Sequence, residues 1–445
     1  LQTVMRCDHQ NGTISRSLFC SDQMKPLDHR IYFDAQATTP LLPEILEAML
    51  PFLEKCHGRS AAAYLSAKKA RKAKWEAREK IAAMIGADSP EEIYFTQSDI
   101  QANHLAIMGY TLAMEGVQGD WLSSACDAPS VRLCDSMTQR WSCRRREFPV
   151  NVHGLAMLDP LLEQIQSHPL MVSLPLTVPE WGSVQSLEAI ASACDSKGVA
   201  LFVDATHGGG WHTIDVSRIP VSMLSLAPHR FHGPAGVGLL YRRKGTPMGS
   251  LLPGERSEAA LSPGMESMAA LVGAGEASAR SPQGDPQVMN TVRRIRHVLT
   301  EGLEHHLDGV AILQREDACS DLSHYLSVAI DGVDGEALML MANVRGLECH
   351  SGVSCRVSQG EADRLTRVCG LPEGFLRSCI TLSWHAMSHE EEAHKALEIL
   401  LGCVKTLREM SPSWSRIASG ENFSMSRCYA QLCKDLREGR GDHDA

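Results

Sequence analysis

From Ile31 onward, apolar runs of strand length alternate with segments whose apolar residues recur every three to four positions. This alternation constrains the fold more than any other feature. Strands separated by helical crossovers build a layered α/β fold around a mostly parallel sheet. Strand candidates lie at 93–96, 171–174, 201–203 and 237–241. A helix carrying Ala70, Ala73, Ala77, Ile81 and Met84 on one face is expected to stop at Gly86. The Gly/Pro/Ser-rich stretch 245–264 reads as a long surface loop, of the kind that is functional or mobile. A helix at 288–303 then leads into a smaller α+β domain with a strand at 326–330. Ser388 and Glu391 form a capping box there, opening a helix with Ala393, Leu397, Leu400 and Val404 on its buried face. The expected organisation is an irregular segment 1–30, a large domain 31–290, a small domain 291–415 and a polar tail 416–445. Within the tail, Met425, Cys428, Leu432 and Leu436 share one helix face.

Composition narrows the function. The 445 residues are 44% apolar and 22% charged, enough to bury a real core. A net charge of −10 argues against nucleic-acid binding as the main role, since phosphate attraction needs a basic surface. The basic clusters Lys68–Lys74 and Arg144–Arg146 read as solvated faces. No apolar run approaches the ~20 residues of a spanning helix. Fifteen cysteines without regular spacing suggest free thiols in a reducing interior. Neither Cys349, His350 and Cys355 nor Cys126, Cys134 and Cys143 show a paired C-x2-C spacing, so no metal site is expected. His207 and His212, which flank a GGGW run, read as structural histidines. The start at Leu1 suggests the remainder of a chain from which a transit peptide was removed.

The order of motifs is specific. FDAQATTP (33–40), IGADSPEEIYFT (85–96), LFVDAT (201–206), PHRFHGPAGVGLLYRR (228–243), SGVSC (351–355) and LREMSPSW (407–414) resemble the cysteine desulfurases, in particular the bacterial and mitochondrial housekeeping type that supplies sulfur for iron–sulfur clusters. The resemblance implies a pyridoxal phosphate (PLP) enzyme of the class V aminotransferase kind. Its fold would be the α/β PLP-dependent transferase fold type I: a large domain with a mostly parallel central sheet, a small C-terminal α+β domain, and usually a homodimer.

Position by position, the resemblance is uneven. The lysine that would form a Schiff base with the cofactor falls at Arg230, whose guanidinium stays protonated and does not make that bond. Asp204 fills the place of the carboxylate that holds the pyridinium nitrogen. The ring-stacking histidine falls at Ala128, the asparagine for the phenolic oxygen at Pro179, and a neighbouring glutamine at His207. In the phosphate cup the segment reads Gln97, Ser98, Asp99 and Ile100, with Ile100 in the threonine's place. Ser98 or Asp99 is expected to cap the helix where phosphate would sit. A further cup serine falls at Ala227, and the threonine donated by a partner subunit at Met265. The arginine for the substrate carboxylate falls at Thr381. The family residue is kept only at Asp204, His229 and Cys355, the last aligning with the persulfide-carrying cysteine.

These replacements lead to the expectation of a protein without catalysis and without PLP, in which Arg230 pairs with Asp204 across an emptied pocket. Its role would be that of a structural subunit in a mitochondrial matrix assembly: a ribosome, a respiratory complex or the iron–sulfur machinery. One alternative is a regulatory partner, or a persulfide acceptor through Cys355, forming a homodimer or a heterodimer with an active desulfurase. The other is an enzyme with altered PLP chemistry.

Overall fold

A computed structural model describes residues 30–117, 119–254, 257–313, 322–352, 359–412, 414–420 and 423–438. Seven strands form the large sheet: β1 (Ile93–Thr96), β2 (Gly119–Ser124), β3 (Cys143–Phe148), β4 (Met171–Pro175), β5 (Ala200–Asp204), β6 (Met223–Leu226) and β7 (Gly238–Arg242). Their order across the sheet is β1-β7-β6-β5-β4-β2-β3, and β7 alone runs antiparallel to its neighbours. The α/β reading and all four strand candidates in this domain hold. β1, β4 and β5 read as near-continuous apolar runs because both of their faces are covered.

The helices that cover the sheet follow from small residues and caps. In α1 (Pro43–Glu54), Ile45 and Met49 turn inward. Along α2 (Leu65–Ile85), Ala67, Ala70, Ala77, Ile81 and Ile85 are buried, and Gly86 closes it in the left-handed region at φ 69°. α3 (Asp99–His104) follows β1 and runs through a π turn into residues 110–113. α4 (Met268–Ala279) lies so close to α2 that a Cβ on Gly275 would stand 2.6 Å from the Cα of Ala77. Any side chain at Gly275 would force these two helices apart.

The second sheet has four antiparallel strands, β8 (Val310–Ile312), β9 (Tyr325–Ile330), β10 (His350–Ser351) and β11 (Cys379–Ser383), in the order β8-β9-β11-β10. It is flanked by α5 (Pro286–His306), α6 (Gln359–Val368) and α7 (Glu390–Met410). The capping box of α7 sits one residue later than the sequence suggests: the His389 N–H donates to Glu392 at 2.8 Å. Ser388 is buried, and its hydroxyl accepts from the His385 N–H instead.

The helix face read in the tail is present and packs inward, and the long loop is held more firmly than its composition suggests. The tail contains α8 (Met425–Arg437), which buries Tyr429 against Phe375 and sends its hydroxyl to the Leu313 carbonyl at 2.7 Å. Its cap is anchored by Asp331, which accepts from both Ser424 and Ser426. The 245–264 stretch is pinned by Glu258, as argued below. Among the described residues no helix is long and apolar enough to cross a membrane.

The two sheets meet at a cluster of rings. His324 of the small domain stacks on Trp211 of the large one, centroids 3.8 Å apart, with His232 and His385 close by. Burial, then repulsion from His232, pushes His324 down to about 3 and His385 down to about 4; burial also lowers His232. Unfolding returns each to about 6.5, so between these values the unfolded chain holds more protons. Stability is therefore present above pH 6.5 and drains as the pH falls, by about 2 kcal/mol at pH 5 for each of His324 and His385, with His232 acting in the same direction. Asp127 and Asp204, the two buried carboxyls described next, work in the opposite sense, so the histidine contribution is read as the difference between wild type and variant. His324→Phe should lose less stability than the wild type when the pH falls from 7 to 5, measured as urea midpoints; an equal change in the two proteins would refute the assignment.

Candidate functional site

A cavity of about 160 Å3 opens at the carboxyl ends of β2, β4 and β5, where it meets β9, β10 and β11 of the small domain. Open α/β sheets place their ligand crevices at such strand ends, since the loops that follow diverge there. Asp204, at the end of β5, is 4% exposed and forms part of the wall. One of its oxygens accepts from the Thr206 N–H and hydroxyl at 3.0 and 2.6 Å and from Ser225 at 3.3 Å; the other accepts from Asn103 at 2.8 Å. Burial raises this carboxyl, and the Thr206 bonds, Arg230 and Asn103 counter it.

A second buried carboxyl, Asp127, shares the cavity. Ser123 and Ser173 stand opposite each other in the β2–β4 register and both donate to its Oδ2, at 2.6 and 3.1 Å. Its Oδ1 has no hydrogen-bond partner. Burial pushes Asp127 up to about 7, against the pull of Ser123 and Arg145. The remaining wall is largely apolar. It includes Ala128, Pro179, Leu365 and Pro175, with His207, Tyr325 and Thr381 as polar members. A flat ring carrying a protonated nitrogen complements such a site, because two buried carboxyls favour a cation between apolar walls.

Arg230 is 7% exposed and lies in the turn Pro228–Arg230 beside this cavity. Its Nε donates to the Gln36 carbonyl at 2.9 Å and its Nη1 to the Thr206 carbonyl at 3.0 Å. The ion pair it forms is with Asp99, at 3.3 Å. The expected Arg230–Asp204 bridge is thus corrected. Thr206 stands between them, giving its hydroxyl to Asp204 and its carbonyl to Arg230. Asp99 wins because it leaves the first turn of α3 directly toward the guanidinium, whereas Asp204 is already supplied with donors. Ser98 caps α3 as expected, accepting from the Gln101 N–H at 3.1 Å.

The other predicted positions divide. Ala128, Pro179, Asp204, His207 and Thr381 converge on the cavity. Ile100 points outward and is 52% exposed, and Met265 is exposed as well. Ala227 is buried below the Arg230 turn. His229 contributes its backbone, the carbonyl accepting from Thr39. Cys355 lies outside the described residues. Sequence reasoning missed Asn103, Thr206, Ser225 and Asp127. An asparagine inside a helix and serines inside buried strands were the available signals, since both oppose local propensity.

Known proteins bear this architecture out. A family model described as aminotransferase class-V matches residues 31–391. Over 386 residues the chain is 28% identical to cysteine desulfurase IscS of Methanosarcina thermophila, spanning 86% of this chain and 94% of that one. A cysteine desulfurase of Sinorhizobium fredii is 29% identical over 86% of this chain and 98% of its own length. Among solved structures, a NifS-like protein superposes with a TM-score of 0.78 at 23% identity, covering 85% of this chain and 100% of that one. These likenesses correct two expectations. A chain so related to proteins named as cysteine desulfurases points to an enzyme, and its family points to PLP as the cofactor. The exchange of lysine for Arg230 removes a covalent anchor, which is a narrower statement than loss of activity.

The residues fit PLP in part. The ring end fits: Asp204 is a buried carboxyl, oriented by Asn103 and Thr206, that would hold a protonated ring nitrogen. The covalent end does not, because no lysine lines the cavity among the described residues. At the phosphate end, Ser98 is engaged as a cap and Asp99 brings a negative charge, which only the Arg230 guanidinium offsets.

Proposed function

The chain belongs to the aminotransferase class-V family, and from that membership we propose that it is a cysteine-desulfurase-type protein of sulfur mobilisation that holds its pyridoxal group without a covalent bond. The observation that carries this reading is the cavity itself. It holds two buried carboxyls, Asp204 and Asp127, and Arg230 lies in the turn beside it, at the position where the family resemblance implies a lysine. When bound, the group would supply an electron sink for bonds to the substrate's α-carbon. The chain's own part is to orient the ring through Asp204, to exclude water with Pro179, Leu365 and Tyr325, and to offer Asp127 as a carboxyl that gains or loses a proton near neutral pH.

Titration of the purified chain with PLP, followed by absorbance and fluorescence, tests this. Saturable binding is expected, and Asp204→Asn should weaken it at least tenfold, since a neutral amide no longer favours the protonated ring nitrogen. Equal affinity in the two proteins would overturn the reading.

The same reading extends to a place in a larger mitochondrial assembly. Its support is an exposed apolar set on α1 and the start of α2, comprising Leu46, Leu50, Leu53, Tyr64 and Leu65. Native-size fractionation of organelle extract should find the protein in a large complex; recovery only as a free monomer would remove this extension.

A further inference from the structure

Two cysteines distant in the chain approach each other in the wall of the cavity. Cys126 follows β2 in the large domain and lines the cavity directly beside Asp127. Cys369 follows α6 in the small domain. Their Sγ atoms are 3.7 Å apart across a sequence separation of 243 residues, and the two residues are 4% and 2% exposed. Around them pack Val178, Trp181, Leu365 and Leu376, and the charges felt by Cys126 are Glu180 and Arg364, which act in opposite directions. Cys379, in the same apolar cluster, is engaged elsewhere: its thiol donates to the Phe375 carbonyl. Arg364 of α6 also reaches across this junction, donating to the Ala125 carbonyl at 2.6 Å and pairing with Glu147 at 3.9 Å.

We infer that Cys126 and Cys369 form a redox pair whose oxidation joins the two domains by a disulfide across the cavity wall. The sulfurs must close from 3.7 Å to about 2.05 Å, a movement on the scale of side-chain rotation. The oxidant is a low-molecular-weight disulfide, RSSR, small enough to enter the cavity. Cys126, which faces the opening, loses its proton and attacks one sulfur of RSSR, releasing RSH and forming a mixed disulfide. The Cys369 sulfur then attacks Cys126, displacing a second RSH. Two protein thiols are oxidised, one RSSR is reduced to two RSH, and both protons leave on the RSH. Contact with Cys369 and burial push the Cys126 thiol up, so the reaction is slow at neutral pH and quickens as the pH rises. Once formed, the bond fixes Leu365 and its neighbours on α6 against the strand ends that carry Asp127.

The inference is independent of any pyridoxal ligand and is tested without one. The full chain is incubated with excess 2-hydroxyethyl disulfide at pH 8, blocked with an alkylating agent, and digested without reduction. A linked peptide pair containing Cys126 and Cys369 is expected, together with a rise of several degrees in Tm that dithiothreitol reverses. Cys126→Ser and Cys369→Ser should each abolish both signals, and circular dichroism reports whether each variant folds. The wild-type digest decides the matter even if a variant does not fold. Oxidation of other thiols with no Cys126–Cys369 peptide would overturn the inference, as would a linked peptide that leaves the Tm unchanged.

Discussion

Arg230→Lys is expected to convert a chain that holds PLP by contacts alone into one that holds it covalently. Borohydride reduction of the PLP-loaded variant should leave a phosphopyridoxyl adduct on the peptide carrying residue 230 in near-stoichiometric yield, while the wild-type peptide carries none. The reason is acid–base chemistry. A guanidinium stays protonated at any pH the fold survives and has no free pair for an aldehyde carbon, whereas a buried lysine readily shifts toward its neutral form. Burial favours that shift, while the Gln36 and Thr206 carbonyls and the Asp99 carboxylate hold the ammonium form, so adduct formation should rise with pH. A cost accompanies the exchange. Arg230 also serves Asp99, and a single ammonium cannot occupy all three partners, so some loss of stability is expected without loss of fold. An adduct at residue 230 that fails to form in a variant that still binds PLP would show that the turn Pro228–Arg230 points away from the aldehyde. A stoichiometric adduct on another lysine of the wild type would show that the covalent anchor has moved rather than vanished.

Glu258→Ala should be among the most destabilising single changes in the molecule, lowering the unfolding free energy by about 3–5 kcal/mol, the range for breaking a buried ion pair from one side. The Glu258 side chain is 2% exposed and lies between two cations of α2, Arg78 at 2.8 Å and Lys74. It also accepts the Phe95 N–H of β1 at 2.8 Å. Its backbone sits in the left-handed region at φ 48°, which a non-glycine residue keeps only when its surroundings hold it there. Removing the carboxylate leaves two cations and a backbone donor without their shared acceptor. Lys74 retains Glu266, so the remaining charge is not wholly stranded. Glu258→Gln should lose less, because its amide oxygen can still receive the Phe95 N–H. Guanidinium unfolding followed by fluorescence and circular dichroism measures both variants. A loss below about 1 kcal/mol for Glu258→Ala would mean that this loop is not anchored through its carboxylate.

The sequence by itself determined the α/β class, the strand positions in the large sheet, the end of α2 at Gly86 and five of the residues that gather at the cavity, Ala128, Pro179, Asp204, His207 and Thr381. These are local or periodic properties. Apolar runs bounded by turn residues, a helix face repeating at three and four, and a glycine stop each depend on neighbours within a few positions. Motif order added the family, since the positions of Asp204 and Arg230 are read by counting along LFVDAT and PHRFHGPAGVG. Tertiary structure decided which charges meet. Asp99, not Asp204, answers Arg230, because the first turn of α3 happens to rise beside the turn that carries the guanidinium. Ser123 and Ser173 converge on Asp127 only once β2 and β4 lie in register. The 245–264 loop, read as surface from its glycines and prolines, is held through the inward carboxylate of Glu258, whose partners Arg78 and Phe95 lie far earlier in the chain, and through the Gly249 N–H to the Gly109 carbonyl. Cys126 and Cys369 come within reach because two domains close on each other, which no spacing along the chain records. Patterning reports which residues leave water; partners among buried charges and thiols depend on distances that exist only after the sheets have packed.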